Sequence, residues 1–298
     1  MKELTELLEP YAADMEIRFH LGAAAGARWR SIGDAYALFG EVRERYGFAP
    51  AKTRIPLLTP PDANMKLDKA TTPSFGLTIQ HYVQKLSTGL TVNACPFAGD
   101  CVKVCVLDNG MGRYSRVQLA RRAKTEFLVE YPREFATLLG YELAMAVKKH
   151  GKILFRPNVN SDVAWERLLP SLVNGHIDGV TSYGYSKRPE VLDTNGWLGT
   201  HYRVAYSWNE KSDPDAIEEF IVAGGSVAVV TSRKKGEPVA DAIKLGEWEY
   251  SEGGDDTPHL MDADATDEWI FTDGAIGDLS AKGKARSLVG KSGFVVTV

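Results

Sequence analysis

Apolar residues recur at helical spacing through the first part of the chain. Leu4, Leu7 and Leu8 open one segment, and Ile32, Tyr36, Leu38, Phe39 and Val42 give a second a near-helical period. Between Ala49 and Pro73 the period stops, because Pro50, Pro56, Pro60, Pro61 and Pro73 break helices and predict an extended connection. Residues 1–73 are therefore expected to form a helical appendage with its proline-rich connection, and residues 74–298 the main domain. Strand-like TIQHYVQKLS and LTVNA open that domain. Two helices follow, Ser115 to Glu130 and Arg133 to His150, parted at Tyr131 and Pro132.

Beyond them the strand candidates KILFRPNV, GVTSYGY, YRVAYSW and SVAVVTS alternate with helix-compatible VAWERLLPSLV and PDAIEEFIVAGG. That alternation predicts an α/β fold with a parallel sheet, either open and doubly wound or a partial or complete (β/α) barrel. The barrel is preferred, since every candidate strand ends in polar side chains and barrels collect their chemistry at the carboxyl ends of strands. Asn158, Asn160, Asp162, Tyr185, Lys187 and Asn209 are accordingly the candidate cofactor-binding residues. Ser207, Glu210, Ser232, Arg233 and Lys234 share those positions, and the plain alternative is that loops are polar everywhere.

Composition narrows the class. With 44% hydrophobic and 25% charged residues the chain reads as a folded globular protein. A net charge of -4 argues against a protein that coats nucleic acid over its whole surface, and leaves a local basic face open. No apolar run approaches the roughly 18 residues of a membrane span. The acidic opening MKELTELLEPY lacks the basic and apolar regions of a signal peptide, so a cytoplasmic protein without membrane contact is expected.

Cys95, Cys101 and Cys105 are the chain's three cysteines, in NACPFAGDCVKVCVLDNGMGR with spacing C-x5-C-x3-C. An odd, clustered set is no disulfide framework and points to metal. Three thiolates suit a [4Fe-4S] cluster whose fourth iron stays open. Zinc, with His81 or Asp100 as fourth ligand, is the first rival, although its usual C-x2-4-C pairing is missing; three buried apolar thiols are the second. Gly99, Gly110 and Gly112 let backbone amides turn toward sulfur, and Lys103 and Arg113 are placed to offset cluster charge.

From Met111 to Lys124 the chain carries Arg113, Arg116, Arg121, Arg122 and Lys124 and no acid. The stretch is either a solvated helix face or a contact for host nucleic acid or a host protein through Arg116, Arg121 and Arg122. Lys282 and Lys284 sit in a glycine-rich basic segment that is no Walker loop, since position 285 is alanine; a phosphate contact and a charged turn both remain open. Asp162 and Glu166 stand four apart, as an acid and base pair or as helix-start acids. Tyr183 and Tyr185 share a strand face, to stack a base or ribose or to fill the core. No Ser-His-Asp order, H-E-x-x-H or dinucleotide-binding G-x-G-x-x-G in strand context is present.

The segment from Asn93 to Arg113, the basic helix YSRVQLARRAKTEFLVEYPREF and the late Ala281 to Arg286 together resemble an uncharacterised bacteriophage family of three-cysteine proteins, from about Thr78 to Val298. That resemblance implies a viral gene expressed in the cytoplasm of a bacterial host. A looser resemblance is to radical S-adenosylmethionine (radical SAM) enzymes, which hold a [4Fe-4S] cluster by three cysteines after the first strand of a TIM-barrel-like fold. It implies S-adenosylmethionine at the open iron. Most of that superfamily uses C-x3-C-x2-C and a later Gly-Gly-Glu, whereas here the spacing is longer and the nearest acids are Asp162 and Glu166. Two functions are thus in view. One is a phage-encoded iron-sulfur protein of radical-SAM-like architecture, acting by redox or radical chemistry on a small molecule or nucleotide, with no catalytic residue assigned. The other is a metal-stapled, non-enzymatic binding protein.

Overall fold

The computed structural model describes residues 1–24, 29–64, 67–80, 82–105, 110–251 and 259–298. The chain is mixed α/β with a large parallel sheet. It divides into two compact units, the first of residues 1–96, 113–182 and 199–202, the second of residues 97–112, 183–198 and 203–298.

Helices dominate the first unit: α1 (Leu4–Leu8), α2 (Ala12–Ala23), α3 (Trp29–Arg45), α4 (Ser115–Glu130), α5 (Pro132–His150) and the short α6 (Trp165–Leu168) and α7 (Pro170–Val173). Its strands are β1 (Lys2–Glu3), β2 (Ser74–Gly76), β3 (Val83–Lys85), β4 (Thr91–Asn93), β5 (Ile153–Arg156) and the start of β6 (Val180–Ser186). β5 pairs in parallel with β2 and with β6, and all four of its residues are buried, as a strand covered on both faces requires. A small second sheet joins β1, β4 and β3. The expected break between α4 and α5 falls at Tyr131, which is not helical, and Pro132 then opens α5 where its missing N–H costs nothing.

The apolar stripes read in the N-terminal segments have a definite partner. Leu4, Leu8, Phe19, Ile32 and Phe39 share one core with Phe127, Phe135, Leu139 and Phe155. α2 and α5 cross at backbone contact: a Cβ on Gly22 would lie 2.1 Å from the Thr137 carbonyl oxygen, and one on Gly140 would lie 2.3 Å from that of Phe19. Among the described residues no helix is long and apolar enough to cross a membrane.

The remaining strands are β7 (Trp197–Gly199), β8 (Tyr202–Ser207), β9 (Val227–Thr231), β10 (Ala242–Leu245), β11 (Trp248–Ser251), β12 (Leu260–Asp262), β13 (Ile276–Ser280) and β14 (Val295–Val296), with one helix, α8 (Pro214–Val222). In the second unit β9 pairs in parallel with β8, β13 and β14, and β12 continues the sheet beyond β13. β10 and β11 form an antiparallel hairpin. Asp213 caps α8 by accepting from the Asp215 amide at 3.1 Å, ahead of Pro214 at the first helical position.

Candidate metal centre

In the first unit β4 delivers the chain to Cys95, and β5 delivers it to Asn158, Asn160 and Asp162. The Cys95 amide donates to Asn93 Oδ1 at 2.9 Å, and its thiol donates toward the Asn160 carbonyl oxygen at 3.6 Å. The Asp162 amide donates to the Ala94 carbonyl at 2.7 Å. Cys95, Asn160 and Asp162, far apart in sequence, therefore meet at the carboxyl end of β5. Asn160 Nδ2 donates to the Ile79 carbonyl at 2.9 Å, while its Oδ1 is buried without a hydrogen-bond partner among the described residues. The same holds for Gln80 Oε1 and for both amide atoms of Gln84, which sequence reasoning did not single out. Buried orphan polar atoms are rare and call for a partner. Asn158 is different. Its Nδ2 donates to the Val163 carbonyl at 2.9 Å, and its Oδ1 accepts from Ser161 Oγ at 2.8 Å and from Val163 N and Trp165 Nε1 at 3.1 Å, so the side chain shapes the loop. His81 lies outside the described residues.

The second unit holds Cys101 within a 3-10 turn, Gly99–Val104, which ends at Cys105. Cys105 is buried, and Cys101 packs against an apolar cluster of Val104, Ala281, Ala285, Phe294 and Val295. The turn is anchored through its first residues. The Asp100 amide donates to Glu210 Oε1 at 2.8 Å, and the Asp100 carboxylate accepts from Ser292 Oγ at 2.8 Å and pairs with Lys103 Nζ at 2.5 Å. Lys103 and then Ser292 hold the Asp100 carboxyl below the usual carboxylate range. Lys103, one of the two residues named for charge balance, and Asp100, one of the two named as fourth ligand, are thus engaged with each other. Gly99 has a left-handed φ of 53°, and a Cβ there would lie 2.5 Å from Glu210 Oε1. Gly99→Ala is expected to destabilise the turn by about 1–2 kcal/mol, seen as faster proteolytic cleavage within residues 97–112.

None of the three cysteines is in a disulfide. Among the described residues no group of three or more His, Cys, Asp or Glu side chains is arranged as a ready-made metal-ion site. The donor chemistry fits an iron-sulfur cluster nonetheless, since three soft sulfur donors lie within eleven residues and none is consumed by a disulfide. Residues 57–295 match a protein family described as Gene product 88. The chain belongs to this phage-type gene-product family. No curated protein and no solved structure matches the chain. The Gene product 88 match contains the whole cysteine loop, Asn160 and Asp162, and the Asp100 to Ser292 contact.

The other strand-end residues of this Gene product 88 family member are placed as follows. Tyr183 and Tyr185 do share a face: both hydroxyls donate to the buried Asp267, at 3.2 and 2.7 Å, and Trp269 Nε1 donates to the Tyr185 oxygen at 3.3 Å. Lys187 Nζ donates to Ser207 Oγ at 2.5 Å and lies 5.6 Å from the Phe294 ring centroid. Asn209 Oδ1 accepts from the Lys211 amide at 2.9 Å and closes its own turn. Lys282, weighed as a phosphate contact, has its ammonium paired with Asp264. Arg233 is nearly buried among Asp262, Asp264 and Asp278.

Proposed function

We propose that Cys95, Cys101 and Cys105 bind a [4Fe-4S] cluster. The single observation that carries this reading is the sulfur inventory: every cysteine of the chain lies in one eleven-residue loop, and none is in a disulfide. Bound there, such a cluster supplies electron transfer and an iron left open to a ligand. The chain's own part is to hold the loop and to offer polar groups beside it. Asn160 Oδ1 and the buried Asp162, next to Cys95, favour a ligand that donates hydrogen bonds, such as an amino group or a hydroxyl.

The finer form of the proposal is a radical-SAM-like partial barrel that binds S-adenosylmethionine and acts by redox or radical chemistry on a small molecule or nucleotide. Its support is the parallel sheet with polar strand ends and the open-iron count of three thiolates. The test uses anaerobically purified Cys95→Ala, Cys101→Ala and Cys105→Ala variants, each assayed for iron and sulfide and titrated with S-adenosylmethionine. Each substitution is expected to remove most of the iron. A variant that keeps the full complement takes that cysteine out of the ligand set, and an intact cluster whose spectrum ignores S-adenosylmethionine removes the finer form.

A further inference from the structure

Among the described residues Arg43 on α3, and Arg116, Arg122 and Lys124 on α4, are near one another in the first unit and have no carboxylate partner. Two of them converge. The Arg43 and Arg116 guanidinium carbons lie 4.5 and 4.8 Å from the centroid of the same ring, Phe48, which is itself buried. The carboxylates nearby are committed elsewhere. Glu126 accepts from Tyr46 and Ser87 and pairs with Arg45, which also holds Glu130. Glu142 accepts from the Leu57 and Leu58 amides and from the Tyr36 hydroxyl, each at 2.8 Å. Arg43 NH1 and Arg122 Nε are buried without an acceptor among the described residues.

The cost of this grouping shows in its protonation. Burial and then Arg116 pull the Arg43 guanidinium below its usual range. Burial pushes the Lys124 ammonium down to about 8; Glu142 opposes that shift, while Arg43 and Arg121 add to it. Among the described residues Lys124 has a hydroxyl partner, Thr78 Oγ1 at 3.2 Å. Cations held together against their own repulsion, with buried N–H groups unmet, are what an incoming anion relieves.

We propose that Arg43 and Arg116, with Tyr114 at the edge, bind the phosphate backbone of a single-stranded nucleic acid. Tyr114, just ahead of α4, is 51% exposed and lies under the Arg113 guanidinium at 6.0 Å, so an aromatic face stands beside the cations for a base to stack on. The site stands on different residues from the cysteine loop and is independent of any cluster.

The test is fluorescence anisotropy of the full chain with labelled single-stranded DNA and RNA, with duplex DNA and inorganic phosphate as competitors, across a salt series. Arg116→Gln and Arg43→Gln are each expected to weaken single-strand binding about tenfold and to reduce the slope of log affinity against log salt by about 0.7. Tyr114→Ala is expected to weaken it about fivefold or more. Lys149→Gln on α5 removes an exposed charge and is expected to change nothing. Arg116 is exposed, so its variant keeps the test meaningful if Arg43→Gln fails to fold. No binding to either single strand, unaltered binding by Arg116→Gln, a preference for duplex, or equal competition by inorganic phosphate each overturns the assignment.

Discussion

Asp278→Ala is expected to lower the unfolding free energy by about 3 kcal/mol, read from urea denaturation. Asp278 is fully buried in β13. Its Oδ1 accepts from Thr231 Oγ1 at 2.6 Å and its Oδ2 from the Ala240 amide at 3.1 Å. Arg233 Nε faces Oδ2 at 2.9 Å as an ion pair and not an aligned hydrogen bond. Removing the carboxylate leaves a hydroxyl and an amide without their acceptor and Arg233 short of its innermost counter-charge. Asp262 at 2.9 Å and Asp264 at 3.5 Å still accompany the guanidinium, which keeps the loss toward the lower end for a broken buried pair. A change under 1 kcal/mol contradicts this account of the network.

Gly140→Ala is expected to cost about 1–3 kcal/mol, the usual range for overpacking, and Gly22→Ala about as much. At either position the added carbon meets backbone, which cannot rotate away, so α2 and α5 must separate and the core between Phe19 and Phe135 loosens. Because both substitutions force open the same crossing, the double variant should lose less than the sum of the two. Additive losses in a double-mutant cycle would show that the two glycines act at separate contacts.

Much of the fold was legible because it rests on local pattern. The α4 and α5 boundaries follow from apolar period and the Tyr131 and Pro132 break, and β5, β6, β8 and β9 sit where short apolar runs predict strands. β12 and β13 were not read. Their sequences, LMD and IGDLS, are short, and they carry Asp262 and the buried Asp278, both paired with Arg233, a residue distant in sequence. Periodicity identified the buried faces of the N-terminal helices, but it carries no information on their partner, which is the core shared with Phe127 and Phe135.

At the candidate site the cysteines were found by count and spacing alone. Strand-end polarity, in contrast, does not separate a residue that faces a ligand from one that ties its own loop: Asn158 and Asn209 close turns, whereas Asn160 keeps a buried acceptor beside Cys95. Arg43 gave no signal at all. A cation on an amphipathic helix reads as a solvated face until the fold brings Arg116 to the same ring.

The measurement that tests the central claim most directly is iron, acid-labile sulfide and zinc content of the whole chain purified without oxygen. The proposed three-thiolate seat predicts about four irons and four sulfides per chain. One equivalent of zinc, or no metal at all, contradicts it.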